Sequence, residues 1–377
     1  MRASHIMLSA ALIASSTAAS AATLTVGTGE QYASLASAVA TAAAGDTIDV
    51  YANASPYSDQ YVTITQALTI VGVGPSTPVF TQTSGTEIGN LKGFIVVNAG
   101  AADNVTITNL SFQNAAISLT NGDNAAGIRY QSGNLTVNNS TFISNQNGIL
   151  ATPNVVGTGS VTVNNSTFTG NGVATGADAG LEHAIYAGQL AQLTVNGGSV
   201  TGTLVGSNIK SRAASTAITN TTMDEGVTGT ASYAADFSNG GTDVFSGNTI
   251  IQDNSTGNDT FVTFDAEGFD YTVNSLLVSG NTFTSTADFA HTGGLPTGVR
   301  NVSTSVTASV TCNAFNGVPN LTVGPATLSN NVINGPLPSC ATASVPEPSS
   351  ASALLAGLVA LVLAVAMRRG SGISTPA

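Results

Sequence analysis

Positive charge is what this sequence has least of. Lys and Arg together number 8 against 20 Asp and Glu, which leaves a formal net charge of −12. With no basic face to release counterions, binding to a nucleic-acid backbone is excluded as a function class. Charged residues of either sign make up only 7% of the chain, against roughly a quarter in an average globular protein. Tryptophan is absent and there are two cysteines. The low charge does not signal disorder, which combines low charge-independent hydrophobicity with high net charge. Apolar residues reach 42% of the chain, and much of the rest is Gly, Ser, Thr and Asn. Such a chain can bury a core but must satisfy many short polar side chains.

The two ends read as addresses. Residues 1–22, MRASHIMLSAALIASSTAASAA, combine a positive start, an apolar stretch and a small-residue cleavage site. That is the pattern of a secretory signal peptide, too short for a membrane span. Signal peptidase and the secretion translocon are the partners it implies. At the other end, VPEPSSASALLAGLVALVLAVAMRRG, residues 345–370, places an uncharged apolar run between Pro346-Glu347-Pro348 and the pair Arg368-Arg369. By the positive-inside rule the arginines stay in the cytoplasm. A plain C-terminal anchor is one reading. The order of parts also resembles the PEP-CTERM sorting signal. That resemblance implies a Gram-negative bacterium making exopolysaccharide, and an exosortase-type transpeptidase that removes the helix. The mature protein then reaches the cell surface or the surrounding matrix. The domains expected are therefore a signal (1–22), a body (23–340), a linker ending in Pro-Glu-Pro (341–348), a sorting transmembrane helix (349–370) and a tail (371–377). An even cysteine count in an exported chain points to a disulfide between Cys312 and Cys340, contributing about 3–4 kcal/mol by chain entropy.

The body repeats. VTITNLSF (105–112), LTVNNSTF (135–142), VTVNNSTF (161–168), LTVNGGSV (193–200) and LLVSGNTF (276–283) are variants of one phrase, with weaker copies at 217–223 and 244–250. Apolar residues alternate as in a strand with one buried face, Asn or Gly breaks it, and a short second strand follows. Taking Asn109, Asn139, Asn165, Asn196, Asn220, Asn248 and Asn281 as the turn residues, the spacings are 30, 26, 31, 24, 28 and 33. An irregular period of this size fits a solenoid with variable loops. The pattern resembles the single-stranded right-handed parallel β-helix of the pectate-lyase-like superfamily, with its asparagine ladder. YASLASAVATAAAGDTIDV (32–50) adds a helix, with Leu35 and Val39 on one face, and a strand from Thr47 to Tyr51. It resembles the helical cap of those folds, which covers an open sheet edge. The fold class expected is all-β with an N-terminal capping helix.

A third strand per coil is expected at AGIRYQ (126–131), GILAT (148–152), AIYAG (184–188) and NIKSRA (208–213). Aligning Ile128, Ile149, Ile185 and Ile209 as inward places Arg129, Leu150, Tyr186 and Lys210 outward, with Arg212 two residues beyond Lys210 on the same face. Tyr233, Asp236, Asp265 and Glu267 fall toward that face, with His183 and Glu225 in neighbouring turns. In β-helix enzymes of the resembled superfamily, the substrate groove runs along such a face. A polysaccharide lyase would use Arg212 to neutralise a uronate, Lys210 as base and Tyr186 or Tyr233 as proton donor. The Arg212 charge would disfavour the Lys210 ammonium by roughly 2 kcal/mol at an effective dielectric near 20. The substrate-binding candidates are His183, Glu225, Tyr233, Asp236 and Glu267. A glycosidase would instead need two carboxylates, such as Asp236 with Asp265 or Glu267. The plain alternative is a wet surface on which Lys210 and Arg212 pair with Asp236 and Glu225 and the His and Tyr residues serve packing. No cofactor is expected: calcium could sit at surface aspartates, but no ligand-spaced loop appears. The readings that remain are a surface or matrix protein that binds extracellular polysaccharide and a polysaccharide lyase.

Overall fold

The computed structural model describes residues 20–173, 180–253, 258–286 and 294–340. The expected signal core, the Pro346–Pro348 motif, the apolar run and Arg368-Arg369 lie outside the described residues. No described helix is long and apolar enough to cross a membrane. The described body belongs to a unit that ends at Pro338, and Ser339 and Cys340 fall in a second.

Each repeat builds one coil. The phrase at 135–142 becomes the strand Asn134–Asn138, a turn, and the strand Thr141–Ile143. Asn147–Ala151 follows as the third strand. Successive coils stack in parallel. Among the described residues they form a 12-stranded sheet (sheet 1), an 11-stranded sheet (sheet 2) and a 10-stranded sheet (sheet 3). This is an all-β parallel helix of the right-handed kind. Alternation drives it: in Asn134–Asn138, Leu135 and Val137 are buried while Thr136 is half-buried on the outside. A one-residue slip would reverse both faces, so the register is firm.

The core is columnar. Tyr57, Phe80, Phe112, Phe142 and Phe168 occupy one position in consecutive strands of sheet 2. Their rings stack at 5.0, 5.8, 5.3 and 4.6 Å. Val200, Met223 and Ile250 continue the column, and Phe283 and Phe315 restore the stack at 4.9 Å.

The corner between sheets 1 and 2 needs one residue in the left-handed region. Asn109, Asn139, Asn165 and Asn220 take it, with φ of 56, 48, 48 and 54°. The other expected turn residues do not. Gly197, Gly247 and Gly280 take the left-handed position, so Asn196 stays on its strand and Asn248 and Asn281 sit one residue further on, fully buried. At that inner position an amide ladder runs through the last coils, while earlier coils hold separate amide pairs such as Asn220 to Asn196 (2.9 Å) and Asn145 to Asn171 (3.1 Å). Asn248 donates to Asn281 (3.0 Å), Asn281 to Asn313 (3.0 Å) and Asn313 to Asn331 (3.1 Å). Aligning all seven asparagines in one column therefore joins three different positions, before, at and after the bend.

The entry is a helix over Leu35–Thr41, capped by Ser34 Oγ accepting from the Ser37 N–H. Its buried residues are Leu35 and Ala38, with Val39 half-buried beside them. It ends earlier than the alanine run suggests. The Asp46 carboxylate takes the Ala43 and Ala22 N–H groups at 2.8 and 2.7 Å, which holds the run out of helix. Cys312 and Cys340 are disulfide-bonded.

Candidate functional site

Sheet 3 carries the rare charges. Its register pairs Ile128, Ile149, Ile185 and Ile209 in one buried column. The next column, facing out, runs Arg129, Leu150, Tyr186, Lys210, Asp236, Thr263 and Arg300. At about 4.8 Å per coil, Arg129 and Lys210 lie roughly 14 Å apart.

A cavity of about 320 Å³ opens along this face. Arg129, Asn147, Glu182, His183, Tyr186, Lys210 and Arg212 line it, with Gly122, Asn124 and Leu181 on its rim. Four of the predicted site residues thus meet here. Four others stand apart. Asp236 and Glu267 contact Lys210 but do not line the cavity. Tyr233 is half-buried one coil on, its carbonyl accepting from the Asn208 N–H. Glu225 is buried in a corner, where it takes the Ala231 N–H at 3.0 Å. It makes no ion pair with Lys210 or Arg212 among the described residues.

Lys210 and Arg212 are bound to acids. Lys210 Nζ lies 2.7 Å from Glu267 Oε1 and 3.4 Å from Asp236 Oδ2, and Arg212 Nη2 lies 2.5 Å from Glu267 Oε2. Burial favours the neutral amine of Lys210. Asp236 and Glu267 outweigh both that burial and Arg212, so the pKa of Lys210 rises. The expectation that Arg212 tunes Lys210 toward a base is overturned, because Asp236, expected as a surface partner, and Glu267, expected on the same face, hold its proton. Asp236 itself is shifted up by burial, against the pull of Lys210 and the Ser238 hydroxyl.

Glu267 arrives by an unusual route. The loop 265–274 leaves the strand Thr260–Phe264 with Asp265 at φ 63° and folds back over earlier coils. The Glu267 N–H donates to Ser238 O, Tyr271 OH to Arg212 O at 2.6 Å, and Gln189 Nε2 to Asp270 Oδ2 at 2.8 Å. The strap therefore reaches three coils back along the groove.

His183 forms the inner wall. Its ring stacks on Tyr186 at 5.6 Å, and the Arg212 guanidinium sits 5.9 Å above the same Tyr186 ring. Burial, then Lys210 and Arg212, push His183 down to about 3. The Ser207 N–H donates to Nδ1 at 2.8 Å. The imidazole is thus neutral and carries its proton on Nε2, as a donor and not a base.

Arg129, Asn147 and Glu182 were not foreseen as site residues. Arg129 differs from the other two groove cations. It forms no ion pair among the described residues, although like Arg212 it is half-buried and has a buried Nε with no hydrogen-bond partner. Asn147 Oδ1 takes the His183 N–H at 3.0 Å. The column alignment had already pointed Arg129 outward; what it could not show is that no acid follows it. No group of three or more His, Cys, Asp or Glu suited to a metal occurs among the described residues.

No family model matches the chain, and no curated protein does. Solved structures do. An alginate lyase from Paenibacillus sp. str. FPU-7 matches with a TM-score of 0.56 at 17% identity, over 83% of this chain and 99% of that one. A GH136 lacto-N-biosidase from Eubacterium ramulus matches at 0.46 and 13%, over 83% and 68% of the two chains. The PL6 family alginate lyase AlyGC matches at 0.40 and 15%, over 83% and 40%. The first of these likenesses shows that the chain shares the parallel β-helix fold of an alginate lyase, at an identity that carries no reaction across.

Proposed function

We propose that this protein is an exported polysaccharide-binding β-helix of the cell surface or extracellular matrix, with its glycan site in the sheet 3 groove. The observation that carries the reading is the cavity of about 320 Å³ between Arg129 and Arg212, walled by His183 and Tyr186. It joins the His183–Tyr186 wall, beside which a sugar ring can pack, to cations and amides that fix orientation. Residues 1–22 and 345–370 supply the export and sorting half of the proposal. Signal peptidase and the translocon act first. An exosortase-type transpeptidase then acts at Pro346–Pro348, while Arg368 and Arg369 hold the apolar segment in the inner membrane.

The alginate-lyase fold makes β-elimination the second reading. It is the weaker one, since its base would be Lys210 and two carboxylates hold that proton. One experiment separates the two. Residues 23–345 are incubated with a panel of uronate-containing polysaccharides while the absorbance of an unsaturated sugar end is followed. Retention on a polysaccharide column without an absorbance rise is the expected result. A rise abolished by Lys210→Ala would replace binding with lyase activity, and neither signal would leave a plain surface coat.

A further inference from the structure

The charges of the groove are unevenly compensated. Lys210 and Arg212 share the Glu267 carboxylate, and Lys210 has Asp236 as well. The three ion pairs found among the described residues all belong to this cluster. Arg129, roughly 14 Å away at three coil steps, has no such acid. Glu182 lines the same cavity, yet no ion pair joins it to Arg129. Burial strips water from the Arg129 guanidinium and no carboxylate compensates it, so an anion brought to it would complete the pair. Its planar fork suits a carboxylate better than a point charge does.

At the other end the position of a ligand carboxylate is already filled. Glu267 bridges the two cations at 2.7 and 2.5 Å, and the strap that bears it is tied down at Ser238, Arg212 and Gln189. Its side chain is 36% exposed, so a glycan beside the Tyr186 ring would meet its negative charge. A second carboxylate placed there would be repelled by Glu267 and would find both cations taken. Tyr186 lies two coil steps from Arg129, roughly 10 Å, about the length of a disaccharide.

We propose that the groove selects a glycan whose carboxylates are separated by neutral sugars. Arg129 reads one carboxylate, the neighbouring neutral sugar packs beside Tyr186, and Glu267 is an internal carboxylate that keeps a second one out. This rests on the groove being the glycan site. It names Arg129 and Glu267, and not Lys210, as the residues that set specificity, and it sets this groove apart from one built for an unbroken run of uronates.

Three probes test it by calorimetry and affinity electrophoresis: hyaluronan, in which uronate and neutral sugar alternate; its carboxyl-reduced form; and polygalacturonate. The parent is expected to bind hyaluronan at least tenfold tighter than either of the others. Arg129→Gln is expected to lose about tenfold to a hundredfold on hyaluronan, the worth of one charge-assisted pair. Glu267→Gln removes the internal charge and is expected to gain about tenfold on polygalacturonate. Thermal melts of both variants check that the coils remain folded. Equal binding of hyaluronan and its reduced form, unaltered by Arg129→Gln, overturns the carboxylate subsite while the glycan groove stands. Polygalacturonate bound as tightly as hyaluronan, with no gain in Glu267→Gln, overturns the exclusion. Retention of none of the three, nor of any neutral glycan, sinks the groove reading itself.

Discussion

Glu225 is shifted up to about 8, chiefly by burial, with Asp253 and Asp224 adding to it and the bond from Ala231 opposing it. Its folded pKa lies above its ordinary value near 4.5, so the folded state prefers the protonated acid. Its contribution is complete below about pH 4.5 and drains away as the pH rises toward 8, about 3 kcal/mol by pH 7. Glu225→Gln keeps the acceptor for Ala231 and discards the titration. Urea denaturation should find the variant more stable than the parent by about 3–4 kcal/mol at pH 7 to 8, with the two curves converging near pH 4. A difference that is independent of pH would show that the carboxyl does not titrate with folding. His183 works with the opposite sign. Its pKa is depressed to about 3, so its contribution is present above about 6.5 and is lost as the pH falls from there toward 3. His183→Gln should flatten that acid limb alone and leave the Glu225 limb intact.

The corner turns show what sequence can and cannot specify in an element. Strand positions were legible because alternation has a period of two and each coil repeats it: Ile128, Ile149, Ile185 and Ile209 stack as their spacing implies. The turn was legible only as a region, because Asn and Gly both accept a left-handed backbone and exchange places from coil to coil. Where Gly takes the bend, the next Asn turns inward and changes role from bending the chain to satisfying it. Asn281 accepts from the Asn248 N–H and side chain and donates to Phe245 O and Asn313 Oδ1, all at 2.8–3.0 Å. Asn281→Ala should therefore cost about 3 kcal/mol or more, since buried groups on both sides lose their partners. Asn139→Gly, at φ 48° with an exposed side chain, should cost less than about 1 kcal/mol. Similar losses at the two sites, measured by thermal or urea unfolding, would contradict the division into bending and bonding positions. The site was legible to the same degree. Sheet register brought Tyr186, Lys210 and Asp236 together. Glu267 could be assigned to that face only loosely, because the loop that returns it across earlier coils follows no periodicity; its bridge to both cations, and with it the distinct status of Arg129, lay beyond that reading.

In the solenoid as a whole each coil is supported by the coils on either side. The first is covered by the Leu35–Thr41 helix, whose Leu35 and Ala38 are fully buried. Among the described residues the last coil, Asn320–Val323, Ala326–Ser329 and Val332–Ile333, has a neighbour on one side only. Leu328 and Ile333 are 47% and 56% exposed, although Val310 and Phe315, which they pair with in the preceding coil, are at 0%. The Asn ladder continues into this coil through Asn331, which donates to Val310 O at 2.8 Å. Hydrogen bonds and the partly buried Leu321 and Ala326 thus hold an edge whose apolar cover is incomplete, and such bonds open readily when packing does not close over them. Hydrogen exchange should protect the strands Asn134–Asn138 and Thr158–Asn164 most strongly. Protection should fall stepwise through the last coils, with residues 320–333 exchanging first. Uniform protection across the body would mean that the coils unfold together and that the terminal edge is covered in solution. Protection lowest near Thr23–Val26 instead would show that the helical cap, and not the far end, is the weak point of the stack.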